Sequence, residues 1–164
     1  MSTQQTNFTP NEWTSLLLAP IEAGTAVLLS GHSGMVGTTQ EMIALYKATN
    51  KSAAQQYPGN RLVQSVLNDE SKEARSAMTQ KVSSYITDQS ARQNVKNEAL
   101  HTCQEVSSTL EQKVSPQEAE GYKKWVMDVC EQVASAASEE GQKISQPEQL
   151  TMRDIARALH VMPS

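Results

Sequence analysis

The sequence predicts an all-α protein, six or seven helices in one compact, bundle-like domain. Three observations carry that expectation. Apolar residues recur at steps of three and four along most of the chain, the spacing of one helix face. Alternating β-branched runs bounded by turn residues, the mark of strands, are nearly absent. Ser and Thr stand repeatedly three residues ahead of Glu, where their hydroxyls meet the unpaired N–H groups of a starting helix.

The first of these starts is Thr9-Pro10-Asn11-Glu12, with Thr9 as cap, Pro10 in the first turn and Glu12 closing a capping box. The stripe behind it runs Trp13, Leu17, Pro20, Gly24, Val27 and Leu28. Pro20 lacks a backbone donor and predicts a kink there. Thr38 to Glu41 opens a second helix reaching about Ala48, and Tyr57-Pro58-Gly59-Asn60 is a turn cluster. Leu62, Val63, Val66 and Leu67 make a short helix. Ser71 to about Thr87 is another, with Ala74, Met78, Val82, Tyr85 and Ile86 on one side. Asp88 or Ser90 caps the next, whose stripe is Val95, Ala99, Cys103, Val106, Leu110 and Val114. Ser115 to Glu118 opens a helix that turns Tyr122, Trp125, Val126, Val129, Cys130, Val133 and Ala137 inward. Ser145 to Glu148 opens the last, with Met152, Ile155, Ala156 and Leu159.

Composition narrows the function classes. The 164 residues suit one domain with a real core. Aromatics are only 4% of the chain, so that core is built of Ala, Val, Leu, Ile and Met. A net charge of −4 without clustered Lys and Arg argues against a nucleic-acid surface, which needs such clusters to neutralise phosphate. Met1 to Phe8 has neither the basic start nor the apolar run of a signal peptide. The apolar stretch Trp13 to Ser30 is interrupted by Thr14, Ser15, Pro20, Glu22 and Thr25, too polar a run to span a bilayer. A cytoplasmic protein is expected, with Cys103 and Cys130 as reduced, buried thiols and a disulfide between them as the other reading.

Two stretches repeat one punctuation. Thr9-Pro10-x-Glu12, then Gly34, then Thr38-x-x-Glu41 is matched by Ser115-Pro116-x-Glu118, then Gly141, then Ser145-x-x-Glu148. Glycine ends a helix by taking positive φ, and the hydroxyl–Glu pair caps the next. Val36 and Ile144 follow the glycines as apolar plugs. Each copy therefore reads as an αα-hairpin, residues 9–48 and 115–160, related by a pseudo-twofold repeat. The middle helices, about 61–113, are expected to fill the space between them.

The second turn, from Ala137 through Ser138-Glu139-Glu140-Gly141-Gln142-Lys143-Ile144 to Glu148, resembles the hallmark of the TerB-like tellurite-resistance family. That hallmark is a run of small apolar residues, an acid–Gly pair, an aliphatic residue, and Glu opening the next helix. The first hairpin, Ala26 to Glu41, resembles it more weakly, with Ser33 where the acid stands in the other copy. The resemblance implies a non-enzymatic, all-helical cytoplasmic domain of tellurite resistance and stress response, acting through contacts with protein partners. It also implies weak binding of a divalent cation such as calcium at the turn acids. Carried onto this chain, those are Glu140 and Glu148, and Glu139 adds a third carboxylate nearby. Against that stands Glu148 as a plain capping residue with the other two solvated. Self-association is compatible with this reading.

A second class competes. Thr25-Ala26-Val27-Leu28-Leu29 followed by Gly31, Gly34 and Gly37 mimics the strand and glycine loop of a small nucleotide-binding, NAD-dependent enzyme. It also approaches the nucleophile elbow of a hydrolase, with Met35 where glycine is required. Either needs a parallel sheet that the rest of the chain does not supply. His32, His101 and His160 have no ligand spacing, Trp13 and Trp125 are core anchors, and Lys123 and Lys124 read as a solvated pair.

Overall fold

The computed structural model describes residues 7–31, 38–137 and 144–161. They form seven helices in chain order: α1 (Pro10–Gly31), α2 (Thr39–Ala54), α3 (Arg61–Leu67), α4 (Lys72–Thr87), α5 (Gln89–Lys113), α6 (Pro116–Ala137) and α7 (Gln146–Leu159). No strand occurs among the described residues.

The helix starts follow from local chemistry. Thr9 N–H donates to Glu12 Oε1 at 2.8 Å, and Glu12 N–H donates to Thr9 Oγ1 at 3.1 Å, a reciprocal capping box. Lys113, at the far end of α5, donates to the same Glu12 oxygen at 2.5 Å and holds that carboxyl below its ordinary value. The Thr38, Asn60 and Ser71 side chains accept from the backbone N–H three residues on, and Asp88 caps α5 by accepting from Ser90 and Ala91. The Ser115 hydroxyl accepts from the Glu118 N–H at 3.2 Å.

α2 runs six residues beyond the expected end near Ala48. Its polar tail stays helical because Thr49, Asn50, Ala53 and Ala54 are buried against the neighbouring helices. α1 continues as one helix through the buried Pro20. Length and composition would let α1 cross a membrane, contrary to the reading of its polar interruptions, but 61% of its apolar window is buried inside the fold. It is the core helix, packed against α5, α6, α7 and α4.

The packing between the two expected arms is reciprocal only in part. α1 lies directly on α6, α1 also packs on α7, and α6 also packs on α2. Within the arms it is not: α6 packs on α7, whereas α1 and α2 touch only slightly, so the first arm is not a packed αα-hairpin like the second. The middle helices do not separate the arms: α4 and α5 flank α1, and α3 sits on α6. The core is aliphatic with a few large anchors, Trp125, Tyr46, Tyr85 and Tyr122 among them. Trp13 is buried against Phe8 and donates its indole N–H to Asp69 at 2.7 Å. Trp125 donates to the Asn50 carbonyl at 3.1 Å. Both are core anchors, as the sequence indicates. Cys103 and Cys130 are free and buried, and burial pushes the Cys103 thiol up to about 12. Lys123 corrects the expectation of a solvated pair. Its side chain is buried with Nζ 3.7 Å from Glu111, while Lys124 is exposed and pairs with Glu120.

One polar group sits inside the core. Glu22 of α1 is 3% exposed and accepts from the Thr102 hydroxyl at 2.9 Å. Burial pushes its carboxyl up to about 8, against the pull of the Lys81 charge and the Thr102 hydrogen bond. Glu98 of α5 adds to the rise, and it accepts from Lys81 at 2.6 Å and from the Tyr85 hydroxyl at 3.0 Å. Burial and the neighbouring Glu98 thus favour the protonated form of Glu22. A folded-state value above the unfolded 4.5 favours folding most at low pH, and that contribution is lost as pH rises from 4.5 through 8. Glu22→Gln keeps the donor without the ionisation. Thermal unfolding followed by circular dichroism is therefore expected to show the wild type losing stability from about pH 5 to about pH 9, with the variant flatter and more stable at the alkaline end.

Candidate functional site

The second turn begins from a capping box. The Ser145 N–H and Ser145 hydroxyl donate to Glu148 Oε1 at 3.0 and 2.7 Å, and the Glu148 N–H donates to Ser145 Oγ at 3.4 Å. These bonds fix the carboxylate and use one of its oxygens. Glu148 is nevertheless 3% exposed, and its Oε2 is buried with no hydrogen-bond partner among the described residues.

The cover comes from the end of α1. Gly31, its last residue, lies so close that a Cβ there would stand 2.6 Å from Glu148 Cδ and 2.8 Å from Cγ and Oε1. Only glycine admits this approach without displacing the carboxylate. One turn earlier, Ser30 donates its hydroxyl to the Ala26 carbonyl at 2.8 Å and lies 2.5 Å from the Thr151 hydroxyl of α7. Thr151 is buried. The α1 terminus and the first turn of α7 are thereby locked, with a carboxylate oxygen between them. Ile144, one of the expected plugs, is half-buried and packs against the core.

Of the expected site residues, Glu148 is placed: it is the capping residue of α7, as the plainer reading has it, and it is buried. Glu139 and Glu140 lie outside the described residues, as do Ser33, Gly34, Val36 and Gly141. Among the described residues no three His, Cys, Asp or Glu side chains gather where a metal could be held. Glu148 Oε2 stays buried and without a hydrogen-bond partner among the described residues, while Oε1 is held by Ser145. His101 and His160 stay apart, exposed, the first beside Glu105 and the second at the α7 terminus near Glu111. The strand required by the nucleotide-binding reading is absent, because Thr25 to Gly31 is helix.

Gly31, Ser30 and Thr151 were not singled out for this role by the sequence. The signal available was the capping box, which marks the oxygen that is satisfied and says nothing of the one that is not. No protein-family model, no curated protein and no solved structure matches the chain.

Replacing Gly31 by Ala drives a methyl into Glu148, so a loss of about 1–3 kcal/mol is expected, the usual cost of overpacking. In a Glu148→Ala background the same change is expected to cost little. A double-mutant cycle of unfolding free energies measures that difference.

Proposed function

We propose that the chain is a non-enzymatic, TerB-like domain of tellurite resistance and stress response. It works in the cytoplasm through contacts with other proteins and binds a divalent cation such as calcium weakly at the second turn. The all-helical fold supports the reading, since the hallmark runs from the end of α6 at Ala137 into the first turn of α7 at Glu148. The observation that carries the cation clause is the buried, unpaired Glu148 Oε2. A cation there would satisfy the orphan oxygen and add its charge next to the last turn of α1, whose carbonyl dipoles also favour positive charge. Glu140 and Glu139 are the further carboxylates within reach along the chain. Three carboxylates fall short of the six to eight oxygens calcium prefers, so affinity is expected in the weak range, about 10⁻⁴–10⁻³ M.

Calorimetric titration of the full chain with calcium tests this. One weak site per chain is expected, and it is expected to disappear in the Glu140→Gln, Glu148→Gln double variant while the helical circular dichroism is unchanged. Binding that persists in the double variant, or no binding by the wild type, removes the cation clause.

A further inference from the structure

A cleft of about 370 Å³ opens between α2, α3, α4 and α6, near the early part of α1. That volume lies at the lower end of the range occupied by small-molecule sites. Its walls are of two kinds. The floor is apolar, with Leu17, Val66, Met78 and Trp125. The rim carries Lys47 and Lys51, one turn apart on α2, and Arg75 across from them on α4. None of the three cations has a carboxylate within ion-pair distance among the described residues.

Two acids share the rim, Asp69 and Glu70. Asp69 is already engaged, its oxygens accepting from the Trp13 indole at 2.7 Å and the Ser71 N–H at 3.0 Å. Glu70 is exposed. The rim therefore holds an excess of positive charge on a chain whose net charge is −4.

The wall contains a second, independent feature. Asn50 is 8% exposed, and its side-chain Oδ1 is buried without a hydrogen-bond partner among the described residues. Its backbone carbonyl is taken by Trp125, which fixes the residue in the wall. An orphan amide oxygen in a packed interior costs free energy comparable to a lost hydrogen bond. The last torsion of Asn is soft, so rotation about it can bring Oδ1 to a donor in the cleft that Asn50 lines.

We propose that this cleft is a binding site for a small aromatic acid that carries an N–H or O–H group. Its ring lies on the half-buried Leu17 and Met78, with Trp125 packed beneath them, its anionic group meets Lys47, Lys51 and Arg75, and its donor bonds Asn50 Oδ1. Each part answers one observed feature: apolar surface, unpaired cations, unpaired acceptor. The site is separate from the Glu148 turn. Leu17 and Gly31 are fourteen residues apart on α1, roughly 20 Å along its axis, so either assignment can fail alone.

Anilinonaphthalene sulfonate has the required rings, N–H and anion, and serves as the probe. Titration of the full chain by probe fluorescence is expected to saturate at one molecule per chain. Amide NMR shifts are expected to gather on α2, α3, α4 and α6 around the cleft. The exposed pair Lys51→Glu and Arg75→Glu is expected to lower affinity at least tenfold without moving the unfolding temperature. Phenylnaphthylamine, the same skeleton without the sulfonate, is expected to bind at least tenfold more weakly. Asn50→Leu is expected to weaken the probe while the chain stays folded, and Lys47→Glu gives the same readout from an exposed position should Asn50→Leu fail to fold. Non-saturating fluorescence, shifts centred elsewhere, or affinity indifferent to the charge reversals overturns the proposal.

Discussion

The structure depends on α1 being surrounded. Its residues from Ala19 to Leu28 are all buried, and five other helices, α3 to α7, lean on it. A helix enclosed in this way must present small residues where its neighbours cross. Ala19, Ala23 and Ala26 do so, and at Gly24 a Cβ would stand 3.2 Å from the Tyr46 ring and 3.5 Å from Val133. Two elements thus reach α1 at one point, Tyr46 from α2 and Val133 from α6. In a chain with few aromatics, close approach of backbones replaces bulky side chains as the means of filling the core. The same closeness keeps water from Glu22 and explains its neutral form. It also seals Glu148 beneath Gly31.

The helices and their starts were legible because they are decided locally. A hydroxyl and a carboxylate three residues apart meet across one turn whatever the rest of the chain does. The capping boxes at Thr9 and Ser145 and the Asp88 cap therefore appear as the sequence indicates. The stripe of α5 is also local in origin, and Val95, Ala99, Cys103, Val106 and Leu110 are all buried.

What was not legible depends on which helix meets which. Lys123 reads in sequence as half of a solvated pair with Lys124, yet it is buried with its amine 3.7 Å from Glu111 of α5. Its long aliphatic stem covers apolar surface while the charge finds a carboxylate. The tail of α2 reads as a helix end, but burial of Thr49 and Asn50 holds it helical to Ala54. The repeat led to a picture of two arms with a filling between them. The arms instead face each other through α1 and α6, while α5 of the middle stretch lies along α1 at least as extensively and on its flank. At the candidate site the same division holds. Ser145 and Glu148 could be read from spacing, whereas Gly31 looks like part of a glycine-rich turn until α7 is placed against it.

Two buried side-chain atoms are left without partners among the described residues, Asn50 Oδ1 and Glu148 Oε2, and both are acceptors that ask for an electropositive partner. An amide oxygen is neutral and is answered by any donor. A carboxyl oxygen is answered by a donor or by a cation. Neither is explained by its helix alone. Asn50 is held through its carbonyl by Trp125, and Glu148 is held through its other oxygen by Ser145. In both cases one polar atom of the residue is bonded firmly enough to keep the second in an unfavourable place. Such an arrangement lowers stability in the free chain and raises the gain when a suitable group arrives, because the protein atom is already positioned and already stripped of water. That asymmetry is the physical link between how this fold is packed and what it is suited to bind.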